Sequence, residues 1–131
     1  MNSFGSRNIP LRLALVGQFI DERPDWVTDS CGLPTLAASI RAQLTMWERL
    51  ALNEEEAPVK MKDLWTSNPV LVGGRDRLDS LIMQIGKGRF LAKEGADGLL
   101  MIQSLPGEGA PAAGVLIKIA WCNQWAVAGN A

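Results

Sequence analysis

Arg89-Phe90-Leu91-Ala92-Lys93-Glu94-Gly95-Ala96-Asp97-Gly98-Leu99-Leu100-Met101-Ile102-Gln103-Ser104-Leu105 decides the fold class. Two apolar runs flank a turn, Gly95-Ala96-Asp97-Gly98. Short apolar runs bounded by glycine turns read as strands. Arg89 to Ala92 and Leu99 to Leu105 are therefore predicted as strands. Pro106-Gly107-Glu108-Gly109-Ala110-Pro111 forms the next loop, and Gly114 to Ala120 reads as a third strand. There Val115, Ile117 and Ile119 share one face, with Leu116, Lys118 and Ala120 on the other. An antiparallel meander of about three strands follows.

Upstream of Arg89 the period is helical. Asp76 or Asp79 opens a helix with Leu78, Leu81, Ile82 and Ile85 on its predicted buried face, closed by Gly86-Lys87-Gly88. Val70-Leu71-Val72-Gly73-Gly74 reads as an apolar approach to a glycine turn. A short helix from Pro58 to about Ser67 points Val59, Leu64 and Trp65 inward, and Asn68-Pro69 breaks it. A longer helix starts at Pro34 or Thr35 and runs to about Asn53. Its stripe is Leu36, Ile40, Leu44, Trp47 and Leu50 or Ala51. Residues 9–22 read as a further helix, capped by Asn8, with Pro10 in its first turn. Trp26 and Val27 form a short extended piece. Helices followed by a run of strands give the α+β class, with helices covering at least one face of the sheet. Residues 1–131 read as a single domain with a divergent tail over 120–131.

Composition narrows the function. Of 131 residues, 47% are hydrophobic, which supplies a core and argues against disorder. The net charge is −1 with mixed signs, so no basic patch exists for nucleic acid. No apolar run reaches the roughly 20 residues that span a bilayer, so no membrane association is expected. The segment Met1 to Arg7 lacks the apolar region of a secretory signal. Cys31 and Cys122 are too few for a disulfide framework, and a cytoplasmic location is expected. There is no histidine, which removes the commonest general base and metal ligand. Catalysis within this chain must use Lys, Asp, Glu, Ser or Cys.

Two segments concentrate chemistry. Asp29-Ser30-Cys31-Gly32-Leu33-Pro34-Thr35 sets an acid, a hydroxyl and a thiol on a backbone fixed by glycine and proline. Asp29 reads either as an Asx turn or as a carboxylate for the polar end of a substrate. Cys31 reads as a nucleophile, a metal ligand or a small buried residue. Without histidine its activation is weak, and a metal site needs further ligands. Lys93, two residues before Gly95, reads either as a solvated charge or as an ammonium that holds substrate, with the glycine letting substrate approach the strand. Gly73-Gly74-Arg75-Asp76-Arg77-Leu78-Asp79-Ser80 lacks phosphate-loop spacing. It reads as a helix cap with Arg77 and Asp79 in local ion pairs.

In order along the chain, these segments resemble the asparaginase II family, amidohydrolases with a fold like the serine β-lactamases and glutaminases. Asp29 to Thr35 is similar to the family's Asp-Gly-Cys-Gly-x-Pro-Thr, with Ser30 for glycine. Asn68-Pro69 to Ser80 is similar to its His-Pro and Gly-x-Gly-Arg-x-Asp-Thr stretch. Ala92-Lys93-Glu94-Gly95-Ala96-Asp97-Gly98 resembles Ala-Lys-x-Gly-Ala-Glu-Gly, and Gly114 to Lys118 resembles the closing strand. The resemblance covers about residues 10–119. It implies an α+β meander like the C-terminal part of a β-lactamase-like fold. It implies Lys93 as an active-site lysine, Asp29 and Gly95 at the substrate, and Cys31 as a zinc ligand if a partner chain supplies the others.

Departures from the family pattern set further expectations. The family's nucleophile lies in a Ser-x-x-Lys segment, and no serine here has a lysine three residues on. The Cys-Ser-Gly-Lys-His segment that supplies other zinc ligands is also missing. The chain thus resembles the second half of the enzyme without its end, inactive alone. Three roles follow: a fragment of an asparagine-hydrolysing enzyme, one half of a split enzyme completed by an N-terminal half, or a non-catalytic structural or binding module that could form a homo-oligomer.

Overall fold

The computed structural model describes residues 25–29, 31–107, 109 and 111–120. The helix expected over 9–22 and the tail from Trp121 lie outside the described residues. The chain divides into two compact units, Met1–Met46 and Trp47–Ala131.

In the first unit, β1 (Asp25–Thr28) pairs antiparallel with β2 (Pro34–Ala37), Trp26 opposite Leu36 and Thr28 opposite Pro34. The Gly32 N–H donates to the Asp29 carbonyl at 3.0 Å, and Gly32 has φ of +75°. This is a short hairpin connection whose last residue is left-handed, a conformation glycine adopts without penalty. The helix expected from Pro34 or Thr35 is therefore corrected. Residues 34–37 are a strand, and helix α1 spans Ile40–Leu52. Pairing with β1 satisfies the backbone of this segment. Ser39 then starts the helix, its Oγ accepting the Ala42 N–H at 3.1 Å.

In the second unit, α2 (Glu56–Ser67), the single turn α3 (Pro69–Val72) and α4 (Leu78–Gly86) precede the main sheet. Lys62 in α2 donates to the carbonyls of Ala51 and Asn53 at 2.9 and 2.7 Å. It thereby satisfies carbonyls that the end of α1 leaves unpaired. The Trp47 and Trp65 rings meet at 5.6 Å between centroids, tilted by 58°. Trp65 is half-buried as expected, but Val59 and Leu64 are exposed. The apolar approach to the glycine turn, Val70 to Val72, is a single helical turn, since Pro69 preorganises a helical start.

The expected meander is present. Strands β3 (Phe90–Gly95), β4 (Leu99–Ser104) and β5 (Gly114–Lys118) form an antiparallel sheet in that order. Lys93 lies opposite Met101, Gly95 opposite Leu99, and Leu99 opposite Lys118. Asp97 and Gly98 both have positive φ, the geometry that an Asp-Gly pair brings to a hairpin turn. Lys118 ties β5 to this turn through the carbonyl and carboxylate of Asp97. The described residues contain four helices and two antiparallel sheets, so the fold is α+β. No described helix is long and apolar enough to cross a membrane.

Leu91, Ala92, Leu100 and Met101 of the sheet are buried, as is Met83 of α4. The face that α4 buries differs from expectation. Leu78, Leu81 and Ile85 are exposed, the last at 74%, and Ile82 is half-buried. The buried residues are Asp79, Ser80, Met83 and Gly86. Both sides of this helix carry apolar residues. The side bearing Asp79 and Ser80 turns inward because both polar groups find partners there.

Met83 is 1% exposed. Met83→Ala is expected to cost about 2–5 kcal/mol, the range for emptying a closed core site. Urea unfolding followed by circular dichroism measures it. A loss under about 1 kcal/mol would show that α4 is not seated on this core.

Candidate functional site

The first turn of α4 and strand β3 build the most developed polar cluster among the described residues. Arg77 occupies the N-cap position, so Asp79 lies in the first turn, where exposed helix N–H groups favour an acid. Asp79 is fully buried. Its Oδ1 accepts the Ser80 N–H at 2.8 Å. Its Oδ2 accepts the Glu94 N–H at 3.0 Å and the Lys93 ammonium at 3.1 Å. Burial alone would raise the Asp79 carboxyl. The Glu94 N–H, the Lys93 ammonium and the Ser80 N–H outweigh it and hold the group below the ordinary carboxylate value.

Neighbouring residues shape this cradle. The Ser80 hydroxyl lies 2.9 Å from the Pro69 carbonyl and 2.7 Å from that of Gly74, binding α4 to the preceding loop. A Cβ on Gly73 would collide with the Asp79 carboxylate and the Ser80 hydroxyl. Glycine is therefore needed at residue 73 for space. Arg77 Nε lies 2.7 Å from Glu94 Oε2. The local pair expected between Arg77 and Asp79 is thus corrected: each instead pairs with β3, because alternation along the strand presents Lys93 and Glu94 to different sides.

Lys93 is a strand residue, and its side chain is 40% exposed. Its ammonium also donates to the Glu94 carbonyl at 3.0 Å. The bland expectation of a solvated charge is replaced by a charge held at two acceptors. Gly95 closes β3. A Cβ there would come within 2.8 Å of Leu99 Cδ2, so a larger residue would have to push that leucine side chain aside. A cleft of about 710 Å³ opens beside it, lined by Arg77, Leu81, Glu94, Gly95 and Ile117 among others. Lys93 is not among its lining residues.

The hairpin of the first unit carries Asp29 and Cys31. Asp29 Oδ1 accepts the N–H groups of Cys31 and Leu33, each at 2.9 Å. The Thr35 hydroxyl reaches Oδ2 at 3.4 Å. The carboxylate thus performs the Asx-type role of organising its own loop. Cys31 is an exposed free thiol. Among the described residues no three or more His, Cys, Asp or Glu side chains converge as metal ligands. With one oxygen of Asp29 committed to two N–H donors, the described residues do not by themselves fit a zinc site.

Residue-type reasoning missed Asp79, Ser80 and Gly73 as site residues. Their signal lay in the likeness of Asn68 to Ser80 to a family segment, since nothing in spacing links Asp79 to a lysine fourteen residues later. Comparison with known proteins agrees with that likeness. The model of the L-asparaginase II family matches residues 12–127, and the chain belongs to that family. No curated protein sequence matches it significantly.

Two outcomes follow from the cradle. Gly73→Ala is expected to lower the unfolding midpoint, because the methyl displaces Asp79. An unchanged midpoint would show that the loop yields freely. Asp79 binds its proton less readily folded than unfolded, so its contribution is present above about pH 4 and is lost as pH falls through the folded value. The acid side of the stability–pH curve should therefore flatten in Asp79→Asn, as measured by urea unfolding between pH 2 and 6.

Proposed function

We propose that this chain forms one wall of an amidohydrolase site of the asparaginase type, taking a small amide such as L-asparagine. The observation carrying this reading is the Lys93 ammonium, anchored by buried Asp79 on a strand within the family match. Lys93 would hold a carbonyl or carboxylate oxygen of the substrate, where a fixed positive charge stabilises developing negative charge. Gly95 would let substrate lie along the end of β3. The reaction is attack by a serine hydroxyl on the side-chain amide carbon, with loss of ammonia, then hydrolysis of the acyl-serine ester to aspartate.

The serine would come from outside this chain. None of its seven serines is followed by a lysine three residues on, so the chain alone would be inactive. A complementing half would also complete the β-lactamase-like fold. Exposed Ile117 and Ile119, which line one cleft with exposed Leu78 and Leu81, favour such a partner, since apolar surface of this kind is usually covered. Any zinc ligands beyond Cys31 would come from the same source. A cytoplasmic setting suits the free Cys31 thiol.

The purified chain is expected to release no ammonia from L-asparagine. Adding a chain that carries Ser-x-x-Lys should restore release, and Lys93→Ala should remove it again. Ammonia release by the chain alone, abolished in Lys93→Ala, would overturn the inactivity proposed here.

A further inference from the structure

The Lys93 ammonium carries three donors. One reaches Asp79 Oδ2 at 3.1 Å and one the Glu94 carbonyl at 3.0 Å. The side chain is 40% exposed, so the third N–H has access to an outside acceptor. A lysine stem has several rotatable bonds, and a free one would spread that donor over many positions. Here the anchor is itself rigid. Asp79 is 0% exposed, and it accepts the Glu94 N–H from the very strand that carries Lys93. Ser80 binds the start of α4 to the Pro69 and Gly74 carbonyls, and Gly73 leaves the room that the carboxylate fills. Strand, helix and loop thus fix the Lys93–Asp79 distance.

We infer that Asp79 is the positioning residue for Lys93: it holds the ammonium so that the remaining N–H meets a carbonyl or carboxylate oxygen of the substrate. The inference rests on the substrate role given to Lys93 above. Asp79 touches no substrate and acts through Lys93.

A structural ion pair would contribute stability alone, so the test reads the ammonium itself. The full chain is labelled with ¹⁵N-lysine, and the Lys93 ammonium resonance is assigned by its absence in Lys93→Arg. Wild type should show a hydrogen-bonded, exchange-protected ammonium that shifts on adding L-aspartate or L-asparagine. Asp79→Asn should lose the protection while keeping its circular dichroism, and should bind L-aspartate roughly tenfold more weakly, about the worth of one charge-assisted hydrogen bond. Asp79→Glu should recover part of the protection. An unprotected Lys93 ammonium in wild type, or protection that persists in Asp79→Asn, overturns the inference. A protected ammonium that neither ligand shifts leaves the pair intact and overturns the substrate role of Lys93 instead. Where Asp79→Asn does not fold, Lys93→Met decides: the Asp79 carboxyl carbon should titrate at higher pH than in wild type, and an unchanged titration overturns the inference.

Discussion

A carboxylate taken wholly out of water must find donors, or folding pays heavily for its charge. Asp79 finds three, and meeting that requirement organises the second unit. It decides which side of α4 faces inward, against the hydrophobicity of Leu78, Leu81 and Ile85. It excludes a side chain at residue 73. It also occupies a backbone donor of β3, so the sheet and helix meet through a hydrogen bond, and Met83 of α4 and Leu91 of β3 are both buried. An apolar residue at position 79 would remove the requirement together with the reason for the geometry.

The sheet was legible in the sequence because its signals are local. Glycine-bounded apolar runs and an Asp-Gly turn mark β3, β4 and β5 within a residue or three of their observed ends. The inward face of α4 was not legible, since it depends on Lys93 fourteen residues later, and helical periodicity contains no such partner. The stretch Pro34–Ala37 misled for a related reason. Its apolar spacing continues smoothly into α1, and only pairing with Asp25–Thr28 makes it a strand. The Gly32 turn between two short runs was the available sign of that hairpin.

For the candidate site, residue types singled out Lys93, Gly95, Asp29 and Cys31 but not what surrounds them. Asp29 and Cys31 belong to the first unit, and Lys93 and Gly95 to the second. Asp29 shows how structural and chemical readings of one residue coexist. One oxygen organises the hairpin loop, while the other has only a long hydroxyl contact. Gly95 packs against the Leu99 side chain across the hairpin. Family likeness marked Asn68 to Ser80 and Ala92 to Gly98 as separate stretches, and only the fold brings Asp79 of the first to Lys93 of the second.

The hydrogen bond from the Glu94 N–H to Asp79 also guards the β3 edge of the main sheet. A sheet is extended by a strand that docks onto a row of unpaired backbone donors and acceptors. On the β3 side that row is plugged at Glu94 by a side chain from α4. On the far side, the described residues place no strand beyond β5. An added strand, whether from a completing chain in register or from a misassembled copy, therefore meets on the β3 side a backbone donor that Asp79 already occupies.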